Sequence, residues 1–165
     1  MSLTGKPSLT TAAPVANDGF WPDLSLSDLM DRYRIPSEYA DDTISWGLSL
    51  ALVRVNEQLD RAKNNVLAMP FESFDAYLES MTILYGKPAL SVHYEHAVYS
   101  YAKAFLLQQF STMNRRKEAV NEAKESAETE QYWLDESKKS VAAIMRKFFP
   151  EEEHSTKANF YVELM

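Results

Sequence analysis

The chain has no cysteine among its 165 residues. Disulfides and thiolate metal sites are therefore excluded, and a reduced compartment is the default reading. Glycine is almost as scarce, with 4 residues. A turn-rich β fold and a Gly-rich phosphate loop both need more. Long apolar runs are missing too. The longest uncharged one, about Thr43 to Val53, falls far short of the ~20 residues of a membrane span. The first residues hold one lysine and no hydrophobic stretch, so no signal peptide is expected. Positive charge is in deficit: 17 Lys and Arg face 24 Asp and Glu, for a formal net charge of −7. That balance is poor for gripping a nucleic acid backbone, where several phosphates must be neutralised. It suits an acidic wall that DNA slides past without sticking.

What is present is enough for one ordinary domain with a real core. Hydrophobic residues make up 45% of the chain, well above a disordered composition. The pattern predicts an all-α fold, a compact bundle of about four to five helices with extended N- and C-terminal tails. Residues 1–24 read as a flexible leader and aromatic arm, 25–150 as the helical domain, and 151–165 as a linker and C-terminal tail.

Within the helical part, Ser25 caps a short helix, about Leu26 to Arg34, that Pro36 forces to end. A second helix follows, capped by Ser37 and running to about Lys63. Ile44, Leu48, Ala51, Val55 and Leu59 mark one face; Trp46, Leu50 and Val53 mark another. Such a helix needs cover on both sides. Asn64-Asn65 and Pro70 interrupt the pattern, and Ser73 caps a shorter helix carrying Phe74, Tyr77, Leu78 and Met81. Gly86-Lys87-Pro88 stops and restarts the chain. About Pro88 to Met113 is the most apolar helix and the expected centre of the bundle, with Asn114 as its C-terminal cap. From Arg115 to Gln131 the composition favours helix but offers little to bury, which fits a solvated helix or a loop. From Tyr132 an apolar stripe resumes through Leu134, Val141, Ile144, Met145 and Phe148, until Pro150.

Reactive constellations are hard to find. His93 and His96 stand three apart on the central helix with Glu95 between, but no second helix offers a Glu-x-x-His or His-x-x-x-His partner to complete a bundle metal site. A structural pair is the reading, with no metal and no cofactor expected. Without a nucleophile elbow or a Gly-rich loop there is no triad or nucleotide fingerprint, and no catalytic residue is assigned. Arg115-Arg116-Lys117 is the one dense basic cluster, either solvated or in touch with DNA phosphates.

The stronger candidates are adhesive. Phe20-Trp21-Pro22-Asp23 reads as an aromatic arm kept extended by its proline. Trp46, Leu50 and Val53 form a face that is covered either by the Phe74–Met81 helix or by another subunit, where Trp is enriched. Asn159 to Met165 is apolar and β-favouring; Phe160, Tyr161, Val162, Leu164 and Met165 have no sheet of their own to join and are expected to contact a neighbour.

Taken in order, these blocks resemble the head completion protein family of temperate contractile-tailed phages, the product of their L gene. The resemblance is carried by Phe20-Trp21-Pro22-Asp23-Leu24 with the capped helix after it, by Ala51-Leu52-Val53-Arg54-Val55-Asn56-Glu57-Gln58-Leu59, and by Tyr94-Glu95-His96-Ala97-Val98. Trp133, Ala142-Ala143-Ile144 and Tyr161-Val162-Glu163-Leu164 complete it. Phe71 to Tyr85 departs from it, being more helical and aromatic than the family's usual loop. The resemblance implies a structural protein, not an enzyme, made in the host cytoplasm and built into the virion at the head–tail junction. It implies a homo-oligomeric ring, twelvefold like the portal protein ring on which it docks, and a tail-side connector as second partner. It also implies closeness to packaged DNA without sequence-specific binding, no membrane association, and a monomer in solution. The alternative from the residues alone is an unrelated α-helical interaction or regulatory module, dimerising through the Trp46 face.

Overall fold

The computed structural model describes residues 14–36, 40–81, 83, 86–113 and 119–150. Six helices occur among them: α1 (Leu26–Arg32), α2 (Asp41–Gln58), α3 (Asp60–Leu67), α4 (Phe74–Glu79), α5 (Ala89–Met113) and α6 (Ala119–Phe148). The described residues form no strand, and Val15 and Leu24 make an isolated antiparallel bridge. The all-α expectation holds.

Local chemistry sets several ends as expected. The Ser25 hydroxyl accepts from the Asp28 N–H at 3.2 Å, opening α1, and the Ser73 hydroxyl accepts from the Ala76 N–H at 3.1 Å, opening α4. Gly86 takes φ +81° before α5 starts, a conformation that costs glycine little. The 115–131 stretch is helical from Ala119, as the first part of α6. The proposed caps Ser37 and Asn114, the Arg115–Lys117 cluster, residues 1–13 and the tail from 151 to 165 lie outside the described residues.

The helix count rises to six because the expected second helix divides at Leu59, whose N–H still bonds back to the carbonyls of Val55 and Asn56. Beyond that joint, α3 runs straight through Asn64-Asn65, which were expected to break it. Leu59, Ala62 and Val66 are fully buried along one side, so packing overrides the weak helix propensity of asparagine.

α5 is the central element, packed along α6 on one side and against α2 on the other. Tyr94, Ala97, Val98, Tyr99, Ala102 and Leu106 are all buried on it. α2 packs tightly against it at Gly47, where a Cβ would stand 3.1 Å from Leu106 Cδ2 and 3.2 Å from Phe105 Cδ1. On α6, Val141 and Ile144 enter the core, and the Ser137 hydroxyl donates to the Ala97 carbonyl at 2.8 Å. Tyr132, expected on the core stripe, is instead 55% exposed, because its place on the helical wheel is nearly opposite Ser137 and Ile144.

The largest correction concerns the aromatic arm. Phe20 and Trp21 are not held out to a neighbour; they are core residues of their own chain, Trp21 being 2% exposed. Its ring stacks on Tyr94 with centroids 4.7 Å apart and planes within 4°, and meets Phe74 at 4.6 Å. The Phe20 carbonyl accepts from the Phe74 N–H at 3.0 Å. Residues 14–24 thus belong to the helical unit as a strap, not to a leader outside it.

Polar groups fix that strap. Asp18 Oδ1 accepts from the N–H groups of Phe20 and Trp21, and Gly19 turns the chain at φ +81°. Asn17 Nδ2 donates to the Tyr94 hydroxyl at 2.7 Å, that hydroxyl donates to Asn56 Oδ1 at 2.7 Å, and Asn56 Nδ2 returns to Asn17 Oδ1 at 2.8 Å. The closed triangle satisfies its members where burial would otherwise be costly. Burial also pushes the Tyr94 phenol well above its ordinary pKa, so it stays protonated and able to donate.

Candidate partner-binding surface

α2 owes its two characters to the 3.6-residue period. Ile44, Leu48, Ala51, Leu52 and Val55 point to the core and are buried. Trp46, Leu50 and Val53 fall on the opposite side of the wheel. Trp46 is 66% exposed and Val53 53%, with Leu50 half-buried between them. The α4 helix does not cover this stripe; its Phe74 packs against Phe20, Trp21 and Tyr94, and its Leu78 is buried in the core. Among the sequence-nominated residues, then, Trp46, Leu50 and Val53 come together on one open face. Phe20 and Trp21 lie inside, and Phe160, Tyr161, Val162, Leu164 and Met165 fall outside the described residues.

Beside Val53 the surface dips into an open cleft of about 520 Å³ lined by Asp18, Trp21, Val53, Asn56, Glu57, Asp60 and Lys63. Its charged groups are engaged by their own chain. Lys63 Nζ reaches Asp18 Oδ2 at 2.6 Å, Arg54 reaches Glu57 at 3.4 Å, and Asn64 donates to Asp60 at 3.0 Å. Burial alone would push the Asp18 carboxyl up. The Lys63 hydrogen bond and the Trp21 and Phe20 N–H groups outweigh it and hold the carboxyl below its ordinary range. The buried indole N–H of Trp21 finds no acceptor among the described residues. Such a lining rims a docking surface with negative charge, but it poises no nucleophile against a base.

His96 is occupied in a similar way. His96 Nδ1 stands 2.6 Å from the Tyr33 hydroxyl, and its Nε2 faces Glu136 at 3.5 Å. Partial burial pulls the His93 pKa down, helped by His96 and Arg146. No group of three His, Cys, Asp or Glu among the described residues is arranged to hold a metal ion. Tyr33, His96, Tyr99 and Trp133 together form an aromatic joint between α1, α5 and α6.

Sequence reading missed two features. The Asn17–Tyr94–Asn56 triangle joins residues up to 77 positions apart, and nothing local announces it. The outer face of α6 carries Tyr132, Lys138, Lys139, Arg146 and Lys147, all exposed. Its signal was available, since residues 132, 139 and 146 recur every seven positions.

Fold and surface together define an all-α unit with a settled core and one uncovered aromatic stripe. The chain belongs to the phage head completion protein (GPL) family, whose model matches residues 15–148. The match begins at the strap's bridge residue and ends with α6, so it spans the packed unit just described. No curated protein and no solved structure matches the chain. The family is a structural class of phage head protein, and head completion implies association with the virion and with both head and tail. No helix among the described residues is long and apolar enough to cross a membrane.

Proposed function

We propose that this protein docks as a ring on the portal vertex once DNA is packaged, closes the filled capsid and offers the platform on which the tail attaches. The observation that carries this reading is the open stripe Trp46–Leu50–Val53 on a helix whose opposite side is fully used by the core. An exposed tryptophan with aliphatic neighbours is the composition of an interface centre, not of an ordinary solvated face. In a ring each weak contact is repeated, so avidity makes up for modest pairwise affinity and a monomer in solution is compatible with a firm assembly on the portal. The net charge of −7 suits a channel lining that DNA passes without binding. The role is architectural, without a catalytic step. The tail-side connector takes the outer surface, and residues 160–165 bind the portal or a neighbouring copy.

Filled, tail-less heads incubated with purified protein and imaged by cryo-electron microscopy test this directly. A ring of added density at the portal vertex is the expected result. Density elsewhere on the capsid, or heads that join tails without acquiring the protein, would overturn it. Deleting residues 160–165 is expected to leave helical circular dichroism unchanged while blocking tail joining.

A further inference from the structure

α5 lies between α2 and α6: it meets α2 through Tyr94 and Leu106 and α6 through His96 and Ala97, which fall on opposite sides of its helical wheel. The side of α2 turned away from α5 and the side of α6 turned away from α5 therefore lie on opposite flanks of the molecule. Their chemistry differs in sign. Along α2 three carboxylates (Asp41, Asp42, Glu57) stand against one arginine, Arg54. Across residues 131–150, which hold the C-terminal part of α6, four cations (Lys138, Lys139, Arg146, Lys147) stand against Asp135 and Glu136; Lys138 pairs with Asp135 at 3.5 Å and Lys139 with Glu136 at 2.7 Å, and the stretch keeps an excess of positive charge. The lysines are well exposed, with side-chain exposures of 66% for Lys138 and 71% for Lys139, and Tyr132 lies open on the same flank.

We infer that the copies in a ring meet head to tail, the outer face of α2 on one copy seating against the outer face of α6 on the next. This rests on the ring reading and names the surfaces that build it. Charge decides between the two ways α2 can be covered by a second copy. Pairing α2 with α2 brings two acidic rims together and stops at a dimer, because a two-fold contact consumes both faces. Pairing α2 with α6 brings opposite signs together and leaves one acidic and one basic face for the following copies, which is the heterologous contact that closes rings. The contact also gives Trp46 its natural partner, since a lysine or arginine over an indole face gains from cation–π attraction as well as from the rim carboxylates. Tyr132 and the exposed Ala142 supply apolar surface opposite Leu50 and Val53.

The absence of cysteine makes the test clean. Two single-cysteine variants, Val53→Cys and Lys139→Cys, both at exposed positions, are mixed and treated with a short bismaleimide after loading onto filled heads. A covalent pair containing one chain of each variant is expected. The double variant Val53→Cys/Lys139→Cys should give a ladder of multimers. Pairs formed by Val53→Cys alone would show a two-fold contact and overturn the proposal. So would the absence of any cross-link on heads that demonstrably carry the protein, a result that leaves the ring itself standing. Heads that never take the protein up count against the ring reading. The same mixture at high concentration in solution then reads the pairing: a mixed pair supports it and no mixed pair overturns it. A further arm reverses charge, with Asp42→Lys/Glu57→Lys added to the Val53→Cys chain expected to abolish the mixed cross-link and Lys138→Glu/Lys147→Glu added to the Lys139→Cys chain to restore it; failure of restoration also overturns the pairing.

Discussion

Trp21 and Trp46 stand 25 positions apart and meet opposite fates. Trp21 comes from a stretch with no helical character, yet it is buried to 2% and stacked on Tyr94. Trp46 sits in the middle of a regular helix, yet it is 66% exposed. Regularity does not decide burial. An extended segment can be pinned into a core when polar side chains take over its backbone groups, as Asp18 does for Phe20 and Trp21. A helix in turn has more circumference than one neighbour can cover. Tryptophan on the pinned segment contributes stability, and tryptophan on the uncovered face is available for assembly.

The sharpest way to break this comparison is Trp21→Ala. Losing a fully buried aromatic is expected to cost about 3–5 kcal/mol, read as a large drop in the denaturant midpoint. A Trp21→Ala protein of undiminished stability would mean that the strap is not part of the core. Gly47→Val comes next. A branched side chain where even a Cβ stands 3.1 Å from Leu106 overpacks the α2–α5 contact, at a cost of about 1–3 kcal/mol. Tyr94→Phe keeps the stacked ring but strands Asn17 and Asn56, and is expected to cost about 1–2 kcal/mol in the same denaturation assay.

A smaller effect depends on pH. Asp18 has a folded pKa below its ordinary value of 3.8. Its contribution is therefore fully present above pH 3.8 and is lost as pH falls through the lower folded value. The stability gap between the wild type and Asp18→Asn is expected to be constant at neutral pH and to shrink below that point. A gap that widens on acidification would reverse the assignment. Smallest of all is Trp46→Ala, whose effect on folding is expected to stay within about 0.5 kcal/mol.

Much of this was legible beforehand, and the exceptions have physical causes. Ser25 and Ser73 announced their helices because a hydroxyl before a helical stripe has one geometric use. α5 was legible from its apolar residues and the Gly86–Pro88 restart. The strap was not, since an extended segment shows no periodicity and its partners Asn56 and Tyr94 are 39 and 77 residues away from Asn17. The joint at Leu59 was hidden because the apolar spacing continues across it. The open face of α2 was legible as a second stripe. Whether α4 would cover it was not, because that turned on α4 being claimed by Phe20 and Trp21.

The central claim is that the α2 outer face serves assembly and not folding. Thermal unfolding of Trp46→Ala/Val53→Ser, measured beside its capacity to complete filled heads for tail joining, tests it most directly. The account expects a midpoint indistinguishable from wild type and a loss of tail joining. A variant that completes heads as well as wild type, or one that fails only because it unfolds, would contradict it.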